Sequence, residues 1–445
     1  VSTHQTVAHA PDIQAGRLEP AQYATRFSEA VVPLTPGQAL LEAERCLYCF
    51  DAPCATACPT SIDVPSFIKR IGDGNLRGAA HAILEPNPLG GMCARVCPTE
   101  NLCEAVCVRN TQESRPVPIG RLQRFAVDAL LSSAQPQLFT RAGATGKKVA
   151  VVGAGPAGLS CAHRLARLGH QVAVLDSRPK SGGLNEYGLA RYKMADEFAQ
   201  REIAWLLEIG GIEMRQGWCL DTLAQLHTLR QDFDAVFLGM GLARSKSLGI
   251  PGEDLQGVQN AVDFIATLRQ TEDLSQLPVG RRVIVIGGGM TAVDIAVQSK
   301  LLGASVVHMV YRRGPEHMSA SRAEQEWAQT NGVVLHHWLA PQEILGANGH
   351  VNAVRFAQST SGREITWDAD VVFKAIGQTL GNPVLAEAGL VLQGERIATD
   401  SVGQTSLAGV WAGGDCRAGG QELTVEAVAH GQQSALAIHA HLNAQ

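Results

Sequence analysis

Two units of strand, glycine turn and helix, with turns that open at Gly153 and Gly287 and so lie 134 residues apart, constrain this chain more than any other feature. In the first unit the apolar strand Lys148 to Val152 runs into Gly153-Ala154-Gly155-Pro156-Ala157-Gly158, then a helix with Leu159, Ala162, Leu165 and Leu168 on one face. Gly153 permits the tight turn and Gly155 lets the backbone approach a pyrophosphate. Gly158 lets the helix pack closely, so that its N-terminal N–H groups face the anion. The next strand, Gln171 to Leu175, ends at Asp176, where an acid is expected on a ribose hydroxyl. A turn that merely connects strand and helix is the plain alternative, and strand, helix and acid together weigh against it. Gly183 and Leu184, within Ser181 to Gly188, offer a second backbone approach of the kind flavoproteins use.

The second unit repeats the pattern with Arg282 to Ile286 followed by Gly287-Gly288-Gly289-Met290-Thr291-Ala292, where Ala292 replaces the third glycine. Its next strand, Ser305 to Val310, leads to Tyr311-Arg312-Arg313 at the place where an NAD-selective site usually offers a carboxylate. Two guanidinium groups suit a ribose phosphate, so NADPH is expected ahead of NADH; a solvated surface pair is the alternative. Near the end, Gly409 to Asp415 reads as a strand closing in glycines and an acid, with Gly414 and Asp415 in reach of a flavin ribityl chain. A helix from Thr424 through Ala437 follows, its N-terminal dipole turned to the flavin ring. The spacing is too long for a solenoid repeat and fits two copies of a nucleotide-binding unit.

Ahead of both units, 8 of the 11 cysteines fall between Cys46 and Cys107. They run Cys46-x2-Cys49-x4-Cys54-x3-Cys58-Pro59 and Cys93-x3-Cys97-x5-Cys103-x3-Cys107. Close thiolates followed by Cys-Pro are an iron-sulfur signature, although x4 stands where bacterial ferredoxins have x2. Structural zinc is the alternative, and it lacks repeated Cys-x2-Cys knuckles. Val1 to Ala10 has neither the basic nor the apolar region of a signal peptide, so a reducing cytoplasm and no disulfides are expected. Cys161, Cys219 and Cys416 are read as inert buried thiols. No apolar run approaches about 18 residues, and the chain carries a net charge of -5 without a basic block. Membrane and nucleic acid are therefore not expected as partners.

Taken together, the stretches Cys46-Leu47-Tyr48-Cys49, Asp51-Ala52-Pro53-Cys54, Asn87-Pro88-Leu89-Gly90, Val96-Cys97-Pro98-Thr99 and Ile119-Gly120-Arg121-Leu122-Gln123-Arg124-Phe125 resemble two related groups. These are the glutamate synthase small subunits and, more closely, the N-terminal electron-input half of dihydropyrimidine dehydrogenases. The resemblance covers nearly the whole chain. It implies one 4Fe-4S cluster on Cys46, Cys49, Cys54 and Cys107, and a second on Cys58, Cys97 and Cys103 with Gln123 as an unusual fourth ligand. Cys93 is left outside that set, although spacing alone favours it. Read without the resemblance, Gln123 is an ordinary polar residue beside the apolar stripe of a short helix.

The fold expected is α/β: an N-terminal helical iron-sulfur domain (1–140) followed by two Rossmann-like domains, the second inserted into the first. The resemblance implies an FAD domain over 141–253 and 376–445, with an NAD(P)H domain over 254–375. The function implied is electron input from NADPH (NADH possible) through FAD and two 4Fe-4S clusters, with no amino-acid acid-base catalyst. The long dehydrogenases continue into an FMN-containing barrel, so the acceptor expected here is a separate FMN-containing subunit that reduces uracil or thymine, in a hetero-oligomer. The rivals are a glutamate synthase small subunit, in which Glu is expected at position 123, a stand-alone diaphorase serving a ferredoxin, and a zinc-bearing scaffold that senses the NADP redox ratio.

Overall fold

The computed structural model describes residues 18–444, so the expectation read from Val1 to Ala10 lies outside the described residues. Around the cysteines the chain forms α1 (Pro36–Glu44), α2 (Val64–Gly72), α3 (Leu76–Leu84), α4 (Gly90–Val96) and α5 (Ile119–Leu131). Local chemistry starts each of the first three. The Thr35 hydroxyl accepts from the Gln38 N–H while the Gln38 side chain returns to Thr35, with proline at the first helical position. Asp63 and Asn75 cap α2 and α3. Apolar residues at helical spacing then fix which faces turn inward: Val64, Phe67, Ile68 and Ile71 of α2, and Ile119, Leu122, Ala126, Val127 and Leu130 of α5.

Next come β1 (Lys148–Val152), α6 (Pro156–Arg167), β2 (Gln171–Asp176), α7 (Phe198–Leu207), β3 (Ile212–Gln216) and β4 (Ala235–Leu238). The second nucleotide unit contributes β5 (Val258–Asn260), β6 (Arg282–Ile286), α8 (Met290–Leu301), β7 (Val306–Val310) and β8 (Val334–His336). An antiparallel run β9 (Leu339–Ala347), β10 (His350–Gln358) and β11 (Glu364–Asp368) precedes β12 (Val371–Lys374). The chain then closes with β13 (Val410–Ala412) and α9 (Thr424–Asn443).

These strands build two parallel five-stranded sheets of order β13-β4-β1-β2-β3 and β5-β12-β6-β7-β8. The first confirms that the C-terminal strand returns to the sheet of the first glycine turn. Parallel strands are covered on both faces, which is why β1 and β6 read as unbroken apolar runs rather than alternating ones.

The chain divides into two compact units. One comprises the described residues up to Ala30 with Tyr187–Ala195 and Ser245–Gln378; the other comprises Val31–Glu186, Asp196–Arg244 and the chain from Thr379 onward. In the first unit a buried ion network secures the short segment 187–195: Lys193 Nζ lies 2.7 Å from both Asp294 Oδ1 and Glu324 Oε1. Asp294 also accepts from the Ala190 N–H at 3.1 Å, so its charge is compensated inside the apolar helix α8. The second unit holds the cysteine-bearing helices together with the first glycine turn. Among the described residues, no helix is long and apolar enough to cross a membrane.

Candidate functional site

The first glycine turn is built where only hydrogen fits. At Gly158 an added Cβ would meet the Gly153 carbonyl oxygen at 1.9 Å, and Gly153 itself holds φ +104°. Helix α6 thereby starts against the turn, with Pro156 and Ala157 in its first positions. Gly183, at φ +55°, comes so close that its added Cβ would meet the Gly155 Cα at 2.8 Å. Leu184 beside it is partly exposed. From the far end of the chain, Gly414 approaches Ala157, its added Cβ 3.0 Å from the alanine methyl. The fold thus brings Gly153–Gly158, Gly183–Leu184 and Gly414–Asp415 together from three separate stretches of sequence.

Polar groups complete this cradle. Asp176 accepts from the Ala154 N–H at 2.6 Å and from the Arg178 N–H at 2.7 Å, which fixes its carboxylate at the mouth of the turn. Burial lifts the Asp415 carboxyl to about 6, with further upward push from Glu422 and Glu426. Thr424, at the start of α9, donates to Asn185 Oδ1 at 2.8 Å. A backbone cradle for an anion, flanked by a fixed acid, has the features that a dinucleotide such as FAD requires.

At the second turn Gly287 faces the Ala375 carbonyl, and Gly288 lies under the ring of Tyr311, which an added Cβ would meet at 2.5 Å. Met290, Thr291 and Ala292 form the first turn of α8 behind Gly289. The Tyr311 hydroxyl donates to the His317 carbonyl at 2.7 Å, and the Arg313 guanidinium carbon stands 5.5 Å from its ring centroid. Arg312 and Arg313 are exposed, and neither has a carboxylate partner among the described residues. Two uncompensated guanidiniums after β7 leave that place ready for an anion.

The thiols fall into two groups. Cys46, Cys49, Cys54 and Cys107 line one cavity, closed on its other sides by Pro53, Val64, Ile68, Val117 and Ile119. Cys97 lies near Cys93, Cys103 and Cys58. Burial pushes the Cys54 thiol up to about 11 and raises Cys46 as well, so these sulfurs keep their protons unless a metal takes the place of the charge. No three His, Cys, Asp or Glu side chains among the described residues are placed to hold a single metal ion. Four thiols around an apolar cavity suit the larger footprint of an iron-sulfur cluster.

Gln123 is buried on α5, and its amide nitrogen donates to the Gly90 carbonyl at 2.7 Å. That bond commits the nitrogen and leaves the amide oxygen, a possible ligand atom, without a partner among the described residues. Cys161 and Cys416 are buried as expected, whereas Cys219 is exposed in the loop after β3 and is not an inert core thiol.

The Pyridine nucleotide-disulphide oxidoreductase family matches residues 147–431, and Dihydroprymidine dehydrogenase domain II, 4Fe-4S cluster, matches residues 23–135. This chain belongs to the pyridine nucleotide-disulphide oxidoreductases. It is an oxidoreductase with a 4Fe-4S domain ahead of its nucleotide-binding domains.

Its relatives include the NAD-dependent dihydropyrimidine dehydrogenase subunit PreT of Salmonella typhimurium, 35% identical over 94% of this chain and 97% of that protein. The glutamate synthase [NADPH] small chain of Escherichia coli is 35% identical over 92% of each chain. Among solved structures, T. acidophilum thioredoxin reductase matches with TM-score 0.54 and 23% identity over 67% of this chain and 99% of that one, a likeness of fold.

In this oxidoreductase the helix that carries Cys93 and leads into Cys97 is fastened by residues that motif reading passes over. The fully buried Glu202 carboxylate on α7 accepts from the Gly91 N–H at 2.6 Å and the Met92 N–H at 2.8 Å, at the start of α4. Asn185 donates to the Met92 sulfur at 2.9 Å while also accepting from Thr424. The signal for Glu202 was present in the sequence: it interrupts the inward stripe Phe198, Ala199, Ile203 and Leu206 with a charge that must find partners.

Burial raises Glu202 to about 7 against the pull of the two N–H donors and Arg95. Since the folded value lies above the unfolded 4.5, the stability tied to its protonated form is present below about 4.5 and is lost as pH rises through about 7. In Glu202→Gln one N–H must face an amide NH2, which costs about 1–3 kcal/mol. Urea unfolding from about pH 5 to about pH 8 is expected to show a lower midpoint and a flatter pH dependence in the variant. An unchanged slope would contradict this assignment.

Proposed function

We propose that this oxidoreductase is the electron-input subunit of a two-subunit dihydropyrimidine dehydrogenase, taking electrons from NADPH and handing them to an FMN-containing partner that reduces uracil or thymine to the 5,6-dihydro compound. When bound, FAD would supply a hydride acceptor, and two 4Fe-4S clusters would supply one-electron carriers. The chain's own work is placement. Gly153, Gly155, Gly158, Gly183 and Asp176 would hold the FAD diphosphate and ribose, Gly414 and Asp415 its ribityl chain, and Thr424 with the start of α9 its ring. Gly287, Gly288, Gly289 and the first turn of α8 would hold the nicotinamide dinucleotide.

In this reading Cys46, Cys49, Cys54 and Cys107 bind the first cluster, and Cys58, Cys97, Cys103 and Gln123 the second. The domains remain 1–140, 141–253 with 376–445, and 254–375. Exposed Leu47, Tyr48, Phe50 and Val106 around the first thiol cavity support an apolar contact with the partner there, in a cytoplasmic hetero-oligomer.

The observation that carries this reading over a glutamate synthase small chain is Gln123, buried with its amide oxygen uncommitted at the place where Glu is expected in that rival. Anaerobic purification tests it through composition: FAD and about eight iron atoms per chain are expected, as two four-iron clusters require. A chain with flavin and no iron, or with zinc, would contradict the reading.

Arg312 and Arg313 support NADPH, although the relatives are named for NAD in one case and NADPH in the other. Arg312→Ala with Arg313→Ala removes two charge-assisted contacts to the 2′-phosphate and is expected to lower the NADPH-over-NADH ratio of kcat/KM by roughly 10- to 100-fold. Steady-state assays with a dye acceptor measure this, and an unchanged ratio would sink the phosphate clamp.

A further inference from the structure

The loop that carries Cys103 is fastened to the helix that carries Gln123 by a residue outside both the motifs and the ligand set. Helix α5 begins at Ile119 behind Pro118, which offers neither an N–H nor a side-chain acceptor, so its own stretch supplies no side-chain cap. Thr35, Asp63 and Asn75, by contrast, cap α1, α2 and α3 locally. For α5 the acceptor is Glu104, whose carboxylate takes the Gly120 N–H at 2.9 Å. Glu104 is itself held through its backbone. Its N–H donates to the Thr99 carbonyl at 2.9 Å, and its carbonyl accepts from the Cys107 N–H at 3.2 Å and from Asn110 Nδ2 at 2.7 Å. The side chain therefore leaves a fixed point directly after Cys103 and meets α5 one turn before Gln123, since Gly120 and Gln123 share a helix face. The contact is close: a methyl on Gly120 would meet Thr99 Cγ2 at 3.0 Å. The Gly90 carbonyl thus fixes the rotation of the Gln123 amide, and Glu104 fixes the height at which α5 presents it.

We propose that Glu104 is a positioning residue of the second cluster: by capping α5 from the Cys103 loop, it sets the placement of two of that cluster's ligands, Cys103 and Gln123, relative to each other. A ligand side chain is only as well placed as the bonds behind it, and an amide oxygen, a weaker iron ligand than a thiolate, depends on them most. The inference rests on the two-cluster reading above and adds the residue that supports its unusual ligand.

The test uses the full chain, purified anaerobically as wild type, Glu104→Ala, Glu104→Gln, Gln123→Ala and the double variant Glu104→Ala with Gln123→Ala. Iron release to a chelator is followed by absorption, with electron paramagnetic resonance to tell the two clusters apart. Gln123→Ala marks the second cluster by speeding its release. Glu104→Ala is expected to speed that same release by roughly 10-fold, while the first cluster and the flavin stay as in wild type. Glu104→Gln keeps an acceptor of the same reach and is expected to restore the wild-type rate. The double variant should be no faster than Gln123→Ala alone, because Glu104 acts through that ligand. Should Glu104→Ala fail to fold, Glu104→Asp, one methylene too short for Gly120, takes its place with the same expectation. A wild-type rate in the variant that removes the cap, equal loss of both clusters, or additive effects in the double variant would each overturn the proposal. Wild-type release in Gln123→Ala would instead remove Gln123 from the ligand set, and with it the reading on which the proposal rests.

Discussion

Gly158→Ala is expected to yield a chain that retains no flavin and has no NADPH oxidation with any acceptor. The added methyl would lie 1.9 Å from the Gly153 carbonyl oxygen, a backbone atom that no rotamer change can move aside. Either α6 shifts away from the turn or the turn opens. Both displace the N–H groups that would hold the diphosphate, and the overpacking itself costs about 3 kcal/mol. Gly143→Ala is the control, since a methyl there meets nothing within 4 Å. Visible absorption of the purified proteins and their thermal midpoints check the pair. Full flavin content in Gly158→Ala would mean that this turn is a connector.

Cys54→Ala separates the two halves of the proposed electron path. Removing one thiol from the cavity of Cys46, Cys49, Cys54 and Cys107 is expected to lower iron from about eight to about four atoms per chain. NADPH oxidation with a small dye, which needs only the nucleotide sites, should stay within about twofold of wild type. Transfer to the protein partner should fall at least roughly 100-fold, because one of the carriers on the route is gone. Parallel dye and partner assays on one preparation measure both numbers. Equal losses in the two assays would place the first thiol group outside the electron path.

Much of this architecture was legible in local sequence. The bounds read for β1 and β6 coincide with those observed, because a buried parallel strand announces itself as a continuous apolar run bounded by a glycine turn. Helix α9 runs to Asn443, beyond the Ala437 read from sequence; Ile438 and Leu442 continue the inward stripe past polar His439 and His441. Long-range placement was harder to see. Nothing near Gly414 says that it will meet Ala157, and nothing near Glu202 says that its partners are the N–H groups of Gly91 and Met92.

The division of labour around Cys97 was open for a physical reason. Cys93 and Cys97 are one helical turn apart, so both can face the same space, and spacing cannot tell a ligand from a neighbour. Cys219 shows the same limit in reverse: a lone cysteine in an unremarkable stretch carries no sign of its exposure.

The most direct test of the central claim is NADPH oxidation by the anaerobically isolated complex of this chain with its native partner, assayed with uracil and, separately, with glutamine plus 2-oxoglutarate. Uracil-dependent turnover together with a co-purifying FMN protein is the result predicted. Turnover with glutamine and 2-oxoglutarate alone would contradict it, and would make Gln123 a departure within the glutamate synthase small chains.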